Sequence, residues 1–99
     1  MNLDKIIEQI RKIEKERNIQ SSLIYALVEL AELGEVFLQE SGHSNKPPTE
    51  DGVIGEAIDV MVCMLDIIQL YSAEITGEEI ETIMKAKITK WANKKYDTL

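Results

Sequence analysis

One segment constrains the fold more than any other, the almost unbroken apolar run from residue 57 to residue 68. Only three acidic side chains, Glu56, Asp59 and Asp66, adjoin or interrupt it. On a helix of 3.6 residues per turn these acids fall at about 0°, 300° and 280°, so they share one side. A helix that is apolar on every other side is buried. Because an uncompensated buried carboxylate is costly, the sequence predicts a cation or a basic partner beside them.

The size and composition indicate one small folded domain spanning residues 1–99 that associates with copies of itself. The chain has 99 residues, of which 44% are hydrophobic. That apolar content excludes a disordered tail. A chain of this length buries only about 60–65% of its unfolded surface, so a monomer would be marginally stable. We therefore expect a homo-oligomer.

Charge and cysteine content restrict the partners and the compartment. The net charge of −7 argues against nucleic acid as a partner. The single cysteine, Cys63, excludes an intrachain disulfide and is expected to be a buried thiol in a reducing compartment. The N-terminus lacks the shape of a signal peptide, and no apolar run is long enough to span a bilayer. The expectation is a soluble, cytoplasmic protein without a membrane partner.

Hydrophobic periodicity predicts an all-α fold of four helices and almost no strand. The predicted ranges are about 3–17, 22–39, 52–71 and 76–95. A loop rich in Gly and Pro separates the second helix from the third.

Helix-capping residues mark two of the predicted starts. Ser21 or Ser22 is the expected N-cap of the second helix. Thr76 followed by Glu79 has the spacing of a capping box and marks the start of the fourth.

The second helix carries its own pair of acids within apolar surroundings. Glu29 and Glu32 lie one turn apart, whereas Glu35 is rotated by about 120° from Glu29 and falls at the edge. If this pair faces Glu56 and Asp59, four carboxylates surround one point. Such a group binds a hard cation, chiefly Mg²⁺, Mn²⁺ or Ca²⁺.

The histidine content argues against other metals. The chain has one histidine, His43, and it falls in the Gly/Pro-rich loop. A ferritin-like di-iron site needs a Glu-x-x-His pair on each of two helices, and catalytic zinc favours histidine ligands.

The fourth helix is basic where the preceding part of the chain is acidic. Residues 29–81 contain thirteen acids and one lysine, whereas residues 85–95 contain five lysines and no acid. The apolar stripe of this helix consists of Ile80, Ile83, Met84, Ile88 and Trp91. Lys87, Lys90 and Lys94 follow the edge of the stripe, and Lys85 and Lys95 point elsewhere. Beside a magnesium site, the natural target of such a row is a phosphate chain.

Two segments together resemble a known family. The run Leu-Val-Glu-Leu-Ala-Glu-Leu-Gly-Glu at residues 27–35 is followed by Gly-Glu-Ala-Ile-Asp-Val at 55–60. This order of Glu-x-x-Glu and Glu-x-x-Asp resembles the MazG-type all-α nucleoside triphosphate pyrophosphohydrolases. The basic segment at residues 87–96 is similar to the helix that closes such domains.

The resemblance implies a four-helix unit that forms a homodimer or a dimer of dimers. It implies Mg²⁺, with Mn²⁺ as a substitute, held by Glu29, Glu32, Glu56 and Asp59. It also implies cleavage of an NTP or dNTP into a monophosphate and pyrophosphate, as in the removal of non-standard or surplus nucleotides.

Within that reaction, the expected catalytic role of Glu32 is to orient the attacking water. Lys87, Lys90 and Lys94 would bind the substrate phosphates. Members of the family often open each motif with two adjacent acids, Glu-Glu, whereas in this chain Val28 and Gly55 occupy the first of those two positions.

Two other functions remain open from the sequence. One is a related all-α hydrolase of the dUTPase or dCTPase kind that uses the same site. The other is a non-catalytic helical oligomerisation module in which the acids pair with lysines across an interface. The base and sugar preferences follow from no motif in the chain.

Overall fold

The computed structural model describes residues 2–43 and 52–94, and within those ranges the chain is helical without strands. The helices are α1 (Leu3–Arg11), α2 (Ile19–Glu40), α3 (Gly52–Tyr71) and α4 (Gly77–Asn93). The all-α prediction is therefore confirmed. In the part of the chain that is described, none of these helices combines the length and apolarity needed to cross a bilayer.

Helices α1 and α4 form one compact unit. Its buried apolar residues are Leu3, Ile7, Ile10 and Ile80. The Asp4 carboxylate accepts a hydrogen bond from the backbone N–H of Gly77, the first residue of α4. A Cβ at Gly77 would lie only 2.7 Å from the Leu3 carbonyl carbon. The two helices meet so closely at this point because Gly77 has no side chain.

Helices α2 and α3 form the second unit and run antiparallel. At one end, Ser22 near the start of α2 donates to Asp66 in the second half of α3, with an Oγ–Oδ2 distance of 3.2 Å. At the other end, the N–H of Val53 at the start of α3 donates to the Glu40 carboxylate at 3.3 Å. A carboxylate is favoured there because a helix N-terminus carries unpaired N–H groups and a partial positive charge.

The first helix is shorter than predicted, since α1 ends at Arg11 rather than near residue 17. The apolar stripe that suggested the longer helix includes Ile13, but this side chain is 52% exposed and packs into no core. The chain has already left the helix before Ile13, and further along Arg17 contacts α3.

The start of α2 also differs from the prediction. The N-cap is Asn18, three residues before Ser21, and not a serine. The Asn18 side chain accepts from the Ser21 N–H at 2.8 Å, and the Ser21 hydroxyl contacts the Asn18 N–H at 3.3 Å. Ser21 therefore completes a capping box from its N3 position instead of starting the helix.

The other predicted boundaries agree more closely. The range of α3 matches, and Thr76 caps α4 by accepting from the Glu79 N–H at 3.1 Å. The α4 helix ends at Asn93, with Lys94 as its C-cap. The Gly/Pro-rich stretch at 44–51 and the predicted helix end at Lys95 lie outside the described residues.

The predicted burial of α3 does not hold in the single chain. Only Glu56 and Gln69 of this helix are buried, and Cys63 is half-buried. Two packed helices cover one side of each other, so apolar residues on the remaining sides stay in solvent. The exposed large apolar residues of α2 and α3 include Leu23, Leu27, Leu30, Phe37, Ile54, Ile58, Met61 and Val62. The predicted stripe of α4 is likewise exposed except at Ile80.

Candidate metal centre

Three carboxylates from α2 and α3 converge, and we call Glu29, Glu32 and Glu56 the acidic cluster. Each offers a carboxylate oxygen, and these oxygens lie within 4.8 Å of one another. Glu29 and Glu56 are only 7% and 8% exposed, whereas Glu32 is exposed. The cluster therefore consists of two buried carboxylates and one carboxylate that is exposed to solvent.

The geometry of the helices explains why these residues meet. Glu29 and Glu32 lie one turn apart on α2 and so share a face. Because α3 runs antiparallel to α2, residues early in α3 lie opposite the second half of α2. Glu56 comes from the second turn of α3 and reaches the pair from that side.

The donor set of the cluster fits a hard divalent cation. All its ligand atoms are carboxylate oxygens, which Mg²⁺, Mn²⁺ and Ca²⁺ prefer over the softer nitrogen and sulfur donors. Three like charges at this separation repel one another, and a divalent cation would relieve that repulsion. The residues present therefore fit the metal that the sequence pattern implies.

Asp59, the fourth predicted ligand, is not part of the cluster. It is exposed and lies one turn beyond Glu56 on α3. Its charge nevertheless contributes, with that of Glu29, to the raised pKa values of Tyr25 and Cys63. Asp59 thus lies close enough to Tyr25 and Cys63 for its charge to affect them, as the charge of Glu29 does.

Two further side chains, Tyr25 and Cys63, are influenced by the acids of this region. Interaction with the Glu29 carboxylate, through hydrogen bonding and through its negative charge, raises the pKa of Tyr25. The pKa of the Cys63 thiol is raised by partial burial and then by the negative charges of Glu29 and Asp59. Both groups are therefore neutral at pH 7.

Asp66 has a different environment from the other acids of its helix. The Arg17 guanidinium donates a bidentate pair of hydrogen bonds to the Asp66 carboxylate, with Nε–Oδ2 and Nη2–Oδ1 distances of 2.9 and 2.8 Å. Ser22 and Gln69 also donate to it. Partial burial alone would raise the pKa of Asp66, but these hydrogen bonds and the charge of Arg17 outweigh it and lower the pKa.

We call Asp66, Arg17, Ser22 and Gln69 the Asp66 network. The sequence correctly required compensation for Asp66 but did not identify Arg17, which lies 49 positions away in the chain. Since its pKa is lowered, Asp66 is ionised at neutral pH and the ion pair is present there.

The remaining predicted site residues are the three lysines of the fourth helix. Lys87 and Lys90 are exposed on α4, and Lys94 is its exposed C-cap. Trp91 is 66% exposed. The His43 Nδ1 lies 2.9 Å from the Ser41 hydroxyl and is not among the residues of the acidic cluster.

A comparison of the chain with protein-family models, curated proteins and solved structures found no match.

Proposed function

We propose that this protein is a Mg²⁺-dependent nucleotide pyrophosphohydrolase of the MazG type, with Mn²⁺ as a substitute metal. One observation carries the proposal. Three of the four carboxylates that the motif order singles out, Glu29, Glu32 and Glu56, converge from two helices to within 4.8 Å. Asp59, which is exposed and lies one turn beyond Glu56 on α3, would join them as the fourth ligand after a change of rotamer.

The chemistry assigned to the site is attack by water on the α-phosphorus of an NTP or dNTP. Mg²⁺, when bound, supplies the Lewis acidity that offsets charge on the phosphate oxygens and makes water a better nucleophile. Glu32, the exposed member of the acidic cluster, orients the water and accepts its proton. The new P–O bond replaces the bond to the bridging oxygen, and pyrophosphate leaves with that oxygen.

The test is a product assay over the NTPs and dNTPs in the presence of Mg²⁺. The expected products are a nucleoside monophosphate and pyrophosphate, and a chelator should stop their formation. Release of orthophosphate instead would indicate a different cleavage, as in a hydrolase that removes the terminal phosphate. The same screen identifies the preferred base and sugar, including a dUTP or dCTP preference.

Self-association follows from the apolar residues that α2 and α3 leave exposed. Both helices present large apolar side chains to solvent, among them Leu27 at 60% and Ile54 at 76% exposure. Contiguous apolar surface of this kind is unusual on a stable monomer. Light scattering at micromolar concentration should therefore give the mass of a dimer or a dimer of dimers. A monomer mass would contradict the proposed assembly.

The same apolar surface favours a second function, a non-catalytic oligomerisation module. In that case the acidic cluster would be neutralised by basic residues of another subunit. The two functions differ in their response to metal. The enzyme releases pyrophosphate only with Mg²⁺, and the module has no chelator-sensitive activity.

The lysines of α4 are proposed to bind the substrate phosphates, which gives a test of the helix face they occupy. Replacing Lys90 by Ala should raise KM or lower kcat by about 10- to 150-fold, since a charge-assisted hydrogen bond to phosphate is worth about 1.5–3 kcal/mol. The matched control is Lys85→Ala, which removes an exposed lysine from another side of the same helix. Equal losses in the two variants would show that the assignment of faces is wrong.

A further inference from the structure

The Asp66 network joins three parts of the α2–α3 unit at one end. Arg17 precedes α2, Ser22 lies in its first turn, and both donate to the Asp66 carboxylate of α3. Gln69 donates to the same carboxylate from one turn further along α3 at 3.0 Å. The ion pair is largely shielded from solvent, with side-chain exposures of 20% for Arg17 and 13% for Asp66.

The apolar contacts between α2 and α3 are poorly suited to fix how the two helices align. An amphipathic helix has one apolar stripe and hence one preferred rotation toward its partner. Here many large apolar residues of both helices are exposed, and others, such as Leu33 on α2 and Leu65 on α3, are only half-buried. A different rotation or a slide would therefore still bury apolar surface. Selecting one register among such alternatives is the best-attested role of buried polar contacts between helices.

The acidic cluster is sensitive to that register. It lies between the Asp66 network at one end of the helix pair and the contact of Glu40 with the Val53 N–H at the other. Glu29 is seven residues from Ser22, or about 10 Å along the helix. A slide of one helical turn moves α3 by about 5.4 Å. This exceeds the 4.8 Å within which the three carboxylates now lie, and would take Glu56 away from the α2 pair.

We propose that Arg17 and Asp66 are positioning residues, which hold α2 and α3 in the one register that assembles the acidic cluster as a metal site. The inference rests on the proposed function, because it takes the cluster to be the site of metal binding. Neither residue touches the metal or the substrate. Their effect is transmitted through the position of Glu56 relative to Glu29 and Glu32.

The test is the affinity of the folded protein for Mn²⁺, measured by titration with electron paramagnetic resonance of the free ion. Arg17→Gln removes a positive charge, so electrostatics alone would strengthen cation binding. Loss of the positioning role should instead weaken cation binding. We expect a decrease in affinity of about tenfold, at the lower end of what residues outside the ligand set contribute to metal affinity. The sign of the change therefore separates positioning from charge.

The matched control is Lys15→Gln, which removes the same charge from the same linker. The Lys15 carbonyl accepts a hydrogen bond from Arg17, but this contact involves the backbone and survives the change of side chain. Affinity in this variant should be unchanged or slightly tighter. Arg17→Lys provides a second variant in case Arg17→Gln does not fold. It keeps the charge but loses the bidentate geometry, and its affinity should be intermediate.

Two results would overturn the inference, and they are distinguishable. If Glu56→Gln abolishes Mn²⁺ binding while Arg17→Gln and Arg17→Lys bind as tightly as the unmodified chain, the cluster is a metal site and positioning is wrong. If the unmodified chain binds no Mn²⁺, or Glu56→Gln binds as well as it does, the proposed metal site fails and the positioning role fails with it. Circular dichroism at the assay temperature confirms that each variant is folded.

Discussion

Replacing Glu56 by Gln should lower Mg²⁺-dependent pyrophosphate release by at least about 100-fold while the protein stays folded. Glu56 is the only member of the acidic cluster that α3 supplies, and its side chain is buried. The substitution removes one negative ligand at nearly constant shape. Metal ions stabilise phosphoryl-transfer transition states by several kcal/mol, and a loss of about 2.7 kcal/mol already corresponds to 100-fold in rate.

The control for this variant is Glu35→Gln on α2. It removes the same charge from an exposed position one turn beyond Glu32 and outside the acidic cluster. Its activity should stay within a fewfold of the unmodified chain. Comparable losses in the two variants would mean that total negative charge, and not the cluster, supports the reaction.

Melting temperatures measured on the same two variants distinguish the enzyme from the oligomerisation module. Binding to the folded state alone stabilises a protein by about 2.7 kcal/mol when the ligand is at 100 times its dissociation constant. Mg²⁺ should therefore raise the melting temperature of the unmodified chain and of Glu35→Gln, but not that of Glu56→Gln. Without metal, Glu56→Gln should be no less stable than the unmodified chain, because repulsion within the cluster falls. A large loss of stability and no thermal response to Mg²⁺ would favour the module.

The sequence predicts those parts of the fold that are determined by interactions between residues close together in the chain. The ranges of α3 and most of α4 follow from periodicity and from the Thr76 cap, which involve residues a few positions apart. The predicted end of α1 was wrong because the apolar spacing continues to Ile13, a side chain that the fold leaves 52% exposed. A periodic pattern states which face is apolar and leaves open whether a partner exists.

The candidate site illustrates the same division. Spacing alone placed Glu29 and Glu32 on one face of α2, and the motif order supplied Glu56 on the next helix. The pairing of Arg17 with Asp66 was not predictable, since the sequence alone does not show which of the chain's basic residues lies beside this acid in the fold. Only the packing of α2 on α3 selects Arg17.

Gly77→Ala should be among the most destabilising single changes in the α1–α4 unit, by about 1–3 kcal/mol. An added Cβ would meet the backbone of α1, lying 2.7 Å from the carbonyl carbon of Leu3 and 2.9 Å from its Cβ. Backbone atoms cannot relieve the clash by a change of rotamer, as the end of a flexible side chain can. The helices must therefore separate, and the bond from the Gly77 N–H to Asp4 is lost. For a chain of this size the melting temperature should fall by roughly 5–20 °C.

Gly34→Ala is the matched control, and it should stabilise the protein where Gly77→Ala destabilises it. Gly34 lies in α2, where an added Cβ meets no atom of the described residues within 4 Å. Alanine in a helix interior is favoured over glycine by about 0.5–1 kcal/mol, so this variant should melt at a higher temperature. Because Gly77 belongs to a different unit from the acidic cluster, Mg²⁺ should still raise the melting temperature of Gly77→Ala. If Gly77→Ala melts no lower than the unmodified chain, the close approach of α1 to α4 is wrong. If it loses its response to Mg²⁺, the metal site depends on the α1–α4 unit as well as on α2 and α3.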